Sequence, residues 1–285
     1  MPDMQYEPPV VCESAFFADV VAPCGPALAC LTGGGGKTTL MYGLARRLAE
    51  KGARVLVTTS TRILRPAPDA LDGFFECENP EAIRIPDRPC VIAAARPNTG
   101  GRNPNHLRAF APRELDGLWN KGLADWILVE ADGSAGRPLK APSEKEPVIP
   151  SSCGVVIAVA GLSGVGRHFT DTWVFRPGPF AELSGLSPGG VVTPEALARV
   201  ICHDRGLFKG APAHAARLVF LNQADLPGAR QAGLAVGEAL RGRNAAVGAL
   251  CVGSAQDAAL RCEVMRFSEG ALPLRTSPAG RNTAR

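Results

Sequence analysis

Residues 27–41 read Ala-Leu-Ala-Cys-Leu-Thr-Gly-Gly-Gly-Gly-Lys-Thr-Thr-Leu-Met, and the fold follows from how that stretch divides. The apolar run 27–32 is strand-like and four glycines end it. Residues 37–51 then place Leu40, Leu44 and Leu48 at the i, i+4, i+8 spacing of an amphipathic helix. A strand, a glycine loop and a helix make a phosphate site: glycine N–H groups converge on anionic oxygens, and the helix N-terminus adds a favourable dipole. The expected nucleotide-binding residues here are Gly33, Gly34, Gly35, Gly36, Lys37, Thr38 and Thr39. Lys37 would reach the β and γ phosphates, and the Thr38 hydroxyl would ligate Mg²⁺. The strict spacing G-x-x-x-x-G-K-[ST] is not met, because its leading position is Leu31; the glycines at its third and fourth positions, Gly33 and Gly34, are read as supplying the turn. The competing reading is a ligand-free surface loop, and four glycines in a row are costly to order for such a role.

Working outward, Gly52 closes the helix, and 54–59 is a β-branched run suited to a buried parallel strand. Further strands are expected at 90–95, 126–130, 153–160, 217–221 and 246–252, and helices at 112–121, 194–202 and 229–241. Such alternation implies right-handed crossovers and an α/β fold whose mostly parallel sheet is covered on both faces. Residues 1–26, with Pro2, Pro8, Pro9, Pro23 and Pro26, read as a leader that packs onto a domain spanning 27–272. A Gly/Pro/Ser-rich insertion is expected near 161–192, and a disordered polar tail at 273–285.

Composition narrows the function classes. The chain has 285 residues, 46% of them hydrophobic, which suits a globular core. A net charge of +4 with no run of five or six like charges gives no footprint for nucleic acid or an anionic membrane. Nine cysteines without a C-x-x-C pair argue against a disulfide framework or a zinc ribbon. No apolar run reaches 18 residues, and the first residues lack a signal-peptide pattern, so a reducing, cytoplasmic setting is expected.

Two further strand ends carry chemistry. Residues 126–133, Trp-Ile-Leu-Val-Glu-Ala-Asp-Gly, end an apolar strand in Glu130 and Asp132; carboxylates at that end of an α/β sheet suit a Mg²⁺ site, with Thr38 as the third metal-binding candidate. The alternative is an acidic pair capping the next turn. Residues 221–225, Leu-Asn-Gln-Ala-Asp, match an Asn-x-x-Asp element in which Asn222 and Asp225 would contact the base. The carboxylate of such an element accepts from the guanine edge, yet the spacing also arises as an ordinary Asx turn, which leaves ATP and GTP both open. The hydroxyl run Thr58-Thr59-Ser60-Thr61 is a candidate for metal or phosphate contact, or for capping. Arg137, Lys140 and Glu146 follow the acidic strand closely enough to return over a nucleotide, with Lys140 the candidate for stabilising charge on the γ phosphate. Lys37, Glu130, Asp132 and Lys140 therefore form the candidate catalytic set. His168 and His203 lack metal-ligand spacing.

The segments 32–41, 58–61, 129–142, 146–150 and 221–225 together resemble the YqeC family, described as accessory proteins of selenium-dependent hydroxylases. That resemblance implies a P-loop NTPase-type three-layer fold and a role in the maturation of molybdenum hydroxylases. Two positions depart from the expected pattern: Gln223 stands where an Asn-Lys-x-Asp lysine is often found, and Phe175 precedes Arg176-Pro177 where histidine is expected. The leading expectation is a Mg²⁺-dependent NTPase that binds nucleotide and a molybdenum hydroxylase client or cofactor intermediate. A small-molecule kinase with its acceptor near 161–192, and a nucleotide-gated carrier using Cys30 or Cys153 for a selenium or sulfur species, are the alternatives.

Overall fold

In the computed structural model, which describes residues 12–66, 71–100, 103, 105–187, 189–243 and 246–267, the chain opens with β1 (Cys12–Phe16) and α1 (Phe17–Val21). It continues through β2 (Ala27–Gly33), α2 (Lys37–Glu50), β3 (Arg54–Thr59), β4 (Ile63–Leu64), β5 (Gly73–Glu76), β6 (Cys90–Ala95) and β7 (His106–Leu107). Next come α3 (Pro112–Asn120), β8 (Trp126–Glu130), β9 (Leu139–Lys140), β10 (Cys153–Gly161), β11 (Val174–Phe175) and α4 (Pro177–Ser184). The last elements are α5 (Pro194–Cys202), β12 (Ala216–Asn222), α6 (Ala229–Arg241), β13 (Ala249–Gly253) and β14 (Arg261–Arg266).

Ten strands form one sheet in the order β1-β14-β13-β12-β10-β2-β8-β3-β6-β5. From β13 to β5 every neighbouring pair is parallel, while β14 and β1 are added antiparallel at one edge. Strands β2, β8 and β10 are buried along their whole length, as central parallel strands with covered faces must be. Their residues alternate between two cores. Leu28 and Cys30 of β2 face α3, α5 and α6, whereas Ala29 and Leu31 face α1 and α2. On α2 the buried stripe is Leu40, Met41, Leu44, Ala45 and Leu48, each large apolar side chain contributing about 1.5–3 kcal/mol when fully buried.

Three strands of the ten-stranded sheet, and the short strands β4, β7, β9 and β11 outside it, were not expected from the sequence. Residues 12–16, read as part of the leader, are edge strand β1, and Phe17 just after it packs edge-to-face on Phe220 at 4.7 Å between centroids. Strands β5 and β14 carry too little apolar periodicity to be seen locally; their partners in the sheet decide them. Within 161–192, β11 pairs with β9, Phe169 stacks on Phe180 at 5.7 Å, and Leu183 and Val192 are buried. The expected tail at 273–285 lies outside the described residues.

The chain leaves β2 toward β3 on one side, returns to β8, and then crosses to β10, β12 and β13 on the other. The sheet therefore has its topological switch at β2, and ligands of open α/β sheets bind at the carboxyl ends of the strands there.

Candidate functional site

At that switch β2 ends in Gly33 and α2 begins at Lys37. Gly33, Gly35 and Gly36 have φ of +97°, +74° and +110°, the left-handed region that side chains disfavour. Space is also short: a Cβ on Gly33 would lie 2.1 Å from the Val159 carbonyl oxygen, and one on Gly35 would lie 2.4 Å from the Gly161 nitrogen. Gly34 sits so close to the Arg137 carbonyl that its own Cβ would be 2.8 Å away. The N–H of Gly33 donates to both Asp132 oxygens (3.1 and 3.0 Å), that of Gly34 to the Val159 carbonyl (2.9 Å) and that of Gly35 to the Arg137 carbonyl (3.0 Å). Lys37, Thr38 and Thr39 hold the first turn of α2, whose N–H groups have no acceptor within a helix.

Parallel pairing sets Leu31 of β2 beside Glu130 of β8 and so delivers both carboxylates to the loop. The buried Lys37 ammonium donates to the Gly33 carbonyl (2.7 Å) and lies 3.2 Å from Asp132 and 3.9 Å from Glu130. Thr38 donates its hydroxyl proton to Glu130 Oε2 at 2.6 Å. Lys140 is fully buried; its Nζ meets Asp132 (2.9 Å), the Gly133 carbonyl (2.7 Å) and Glu146 (2.9 Å), which uses all three of its donors. Arg176 closes the chain on Glu146, and the Phe175 ring lies 5.8 Å from the Lys140 ammonium and 4.7 Å from the Arg176 guanidinium carbon. Three cations thus face three carboxylates, Lys37, Lys140 and Arg176 against Glu130, Asp132 and Glu146.

These neighbours pull the carboxyls apart. Burial pushes Glu130 above its ordinary value, aided by Asp132 and only partly offset by Lys37, the Thr38 hydroxyl and Lys140. Burial also raises Glu146, but Arg176 and Lys140 outweigh it and hold that carboxyl below its usual value. Tyr42, one helical turn beyond Thr38, is pushed up to about 12 by burial and by Glu130. Tyr42 and Arg176 are the two residues here that the sequence reading gave no role; the i+4 spacing from Thr38 was the available signal for the first.

A hydroxyl and a carboxylate side by side, with a second carboxylate two residues on, are hard oxygen donors of the kind Mg²⁺ prefers. Among the described residues no cluster of three or more His, Cys, Asp or Glu forms a metal cage. The donors suit an ion that takes its remaining ligands from water and phosphate.

Other expected residues fall differently. Asn222 donates from Nδ2 to the Gly35 carbonyl (2.7 Å) and accepts at Oδ1 from the N–H groups of Gln223 and Ala255, so its side chain ties the glycine loop to the loops after β12 and β13. Asp225 and Thr39 are exposed beside this framework. The hydroxyls of Thr58, Thr59 and Ser60 donate to the Ala94, Glu130 and Val148 carbonyls, which makes the run a backbone brace. Arg137 donates to the Asp171 and Ala135 carbonyls. Cys30 and Cys153 are fully buried in one core, and burial raises the Cys30 thiol well above its ordinary value.

Comparisons with known proteins concern the sequence. The family model described as YqeC protein matches residues 29–178, from within β2 to the start of α4. The chain is 35% identical over 214 residues to the Uncharacterized protein YqeC of Escherichia coli (strain K12), across 75% of this chain and 82% of that protein. No solved structure matches it.

Proposed function

The chain belongs to the YqeC family, and from that premise we propose that it is a Mg²⁺-dependent nucleotide-binding protein with a P-loop NTPase-type fold. Its activity is slow, switch-like NTP hydrolysis in the service of maturing selenium-dependent molybdenum hydroxylases. One observation carries the nucleotide reading: Lys37, the Thr38 hydroxyl and the two carboxylates Glu130 and Asp132 converge on a glycine loop at the switch of a parallel sheet.

The residues divide the work. Lys37 and the first-turn N–H groups of α2 receive the phosphate tail. Thr38 and Glu130 would hold Mg²⁺, which when bound neutralises charge on the β and γ oxygens. Asp132 orients Lys37 and the Gly33 amide, and Lys140 orients Asp132. Lys140 acts through Asp132, because its donors are already engaged. The same holds for a kinase that would use Lys140 as its acceptor clamp, since the Lys140 donors are spent within the protein. A carrier role for Cys30 or Cys153 is disfavoured by their burial.

Calorimetric titration with ADP and GDP, each with and without Mg²⁺, tests the reading and selects the base. We expect Mg²⁺-dependent binding that Lys37→Ala weakens at least ~100-fold, a loss of about 2.7 kcal/mol. Wild-type affinity and turnover in Lys37→Ala would remove the assignment. Loss of selenium-dependent hydroxylase activity in cells that carry only Lys37→Ala tests the maturation role.

A further inference from the structure

Three of the donors that a phosphate needs at the glycine loop, the Gly33 and Gly35 N–H groups and the Lys37 ammonium, already face this chain's own oxygens. Asp132 accepts from the Gly33 N–H and sits against Lys37, and the Arg137 carbonyl accepts from the Gly35 N–H. The next carbonyl, Pro138, accepts from Gly161 at 2.9 Å and lies within 2.8 Å of where a Gly35 Cβ would stand. One N–H cannot serve both oxygens, and a phosphate would be repelled by the Asp132 carboxylate. We propose that residues 133–138 are a strap that competes with the nucleotide phosphates for the glycine loop, so that binding proceeds only as the strap lifts; this rests on the nucleotide reading above.

The strap has a hinge and a latch. Ala135 and Gly136 both have positive φ (+48° and +75°), and a Cβ on Gly133 or Gly136 would meet nothing within 4 Å, which leaves that side open for movement. At its far end Leu139 donates to the Trp173 carbonyl at 3.1 Å and β9 pairs with β11. Lys140 then fastens Asp132 and the Gly133 carbonyl to Glu146, and Arg176 fastens Glu146 to the start of α4. A phosphate that draws Lys37 and the Gly33 N–H away leaves Asp132 paired to Lys140 alone. The change is therefore felt along Lys140, Glu146 and Arg176 in the 161–192 region, which gives that region a role as the reporter of nucleotide occupancy. While the strap is closed, the apparent affinity falls in proportion to the open fraction.

Stopped-flow binding of N-methylanthraniloyl-ATP and N-methylanthraniloyl-GTP with Mg²⁺ tests the gate. The wild-type rate should saturate with nucleotide concentration, and Arg176→Gln and Glu146→Gln should each raise the plateau ~10-fold. Hydrogen exchange should show nucleotide speeding exchange at 133–138 while slowing it at 33–40. An unchanged plateau in both variants, or slower exchange in both segments, overturns the strap and leaves nucleotide binding intact. If neither nucleotide binds, the functional reading fails, and the strap is judged without ligand. Arg176→Gln or Glu146→Gln should then speed exchange of the Gly35 and Gly161 amides, and unchanged exchange in both variants defeats it.

Discussion

The carboxyl end of β2 and β8 and the β13–β14–β1 edge each bury a cluster of side chains, but they are built from opposite materials. The first closes over charge: Lys37, Asp132 and Lys140 are buried with Glu130 beside them. The second closes over Cys251, Cys262, Phe220 and Phe17, and keeps its ion pairs, Arg230 with Glu263 and Arg266 with Glu13, on the outside. Burying a paired charge stabilises a fold less than packing apolar groups in the same volume, so the first arrangement is a poor way to build a core. Its placement at the switch point, with carboxyls shifted in opposite directions, is the pattern expected of a working site. The edge needs no such explanation.

The largest test of this contrast is Asp132→Ala. It strands Lys37, Lys140 and the Gly33 N–H without their shared acceptor, and we expect a loss of about 3–5 kcal/mol in urea unfolding. Phe220→Ala at the edge should cost about as much, 3–5 kcal/mol, through a cavity instead of an uncompensated charge. Adding 0.5 M NaCl should change the Asp132→Ala deficit and leave the Phe220→Ala deficit alone; equal salt response would erase the distinction.

Acidity sharpens the contrast further. Glu146, held below its ordinary value of about 4.3, stabilises the fold above that pH, and its contribution is lost as pH falls through its lowered folded value. Glu130, raised by burial, does the reverse: its contribution is complete below the ordinary value and is lost as pH rises through the raised one. Glu130→Gln should accordingly be more stable than the parent at pH 7 and close to it at pH 4, while its Mg²⁺-dependent nucleotide binding falls. Glu146→Gln should be less stable at pH 7 and converge on the parent as pH falls through the lowered value of Glu146. Denaturant midpoints across pH 3–8 check both signs.

The smallest effect belongs to the outer edge. Arg230→Ala removes a half-exposed pair with Glu263 and should shift stability by no more than about 1 kcal/mol, with the shift shrinking further in salt. A larger loss would mean that the edge charges are as deeply engaged as those beneath the glycine loop.

Much of this was legible from residue order. The 27–33 run, the four glycines and the leucine stripe of α2 are each set by local chemistry, and the apolar strands at 90–95, 126–130 and 153–160 stand where their runs end. Lys37 and Thr38, which open α2, and Glu130 and Asp132, which end and follow β8, were marked as candidates by those positions. Strands β1, β5 and β14 were not, since pairing with a neighbour outweighs a weak local pattern. The hydroxyl run 58–61 left contact and capping open in the sequence: only the fold supplies the carbonyls that Thr58, Thr59 and Ser60 meet.

By itself the sequence determined the layers and the ingredients of the site, because periodicity and strand-terminal polar residues are written in near neighbours. Tertiary structure alone decided what those ingredients touch. Asp132 lies 99 positions from Gly33 in the chain, and Asn222 lies 187 positions from Gly35. Sequence could mark the four glycines as a candidate phosphate loop; only the folded chain shows Arg137 and Pro138 resting on it, because close backbone approach is a property of strands brought together by the sheet.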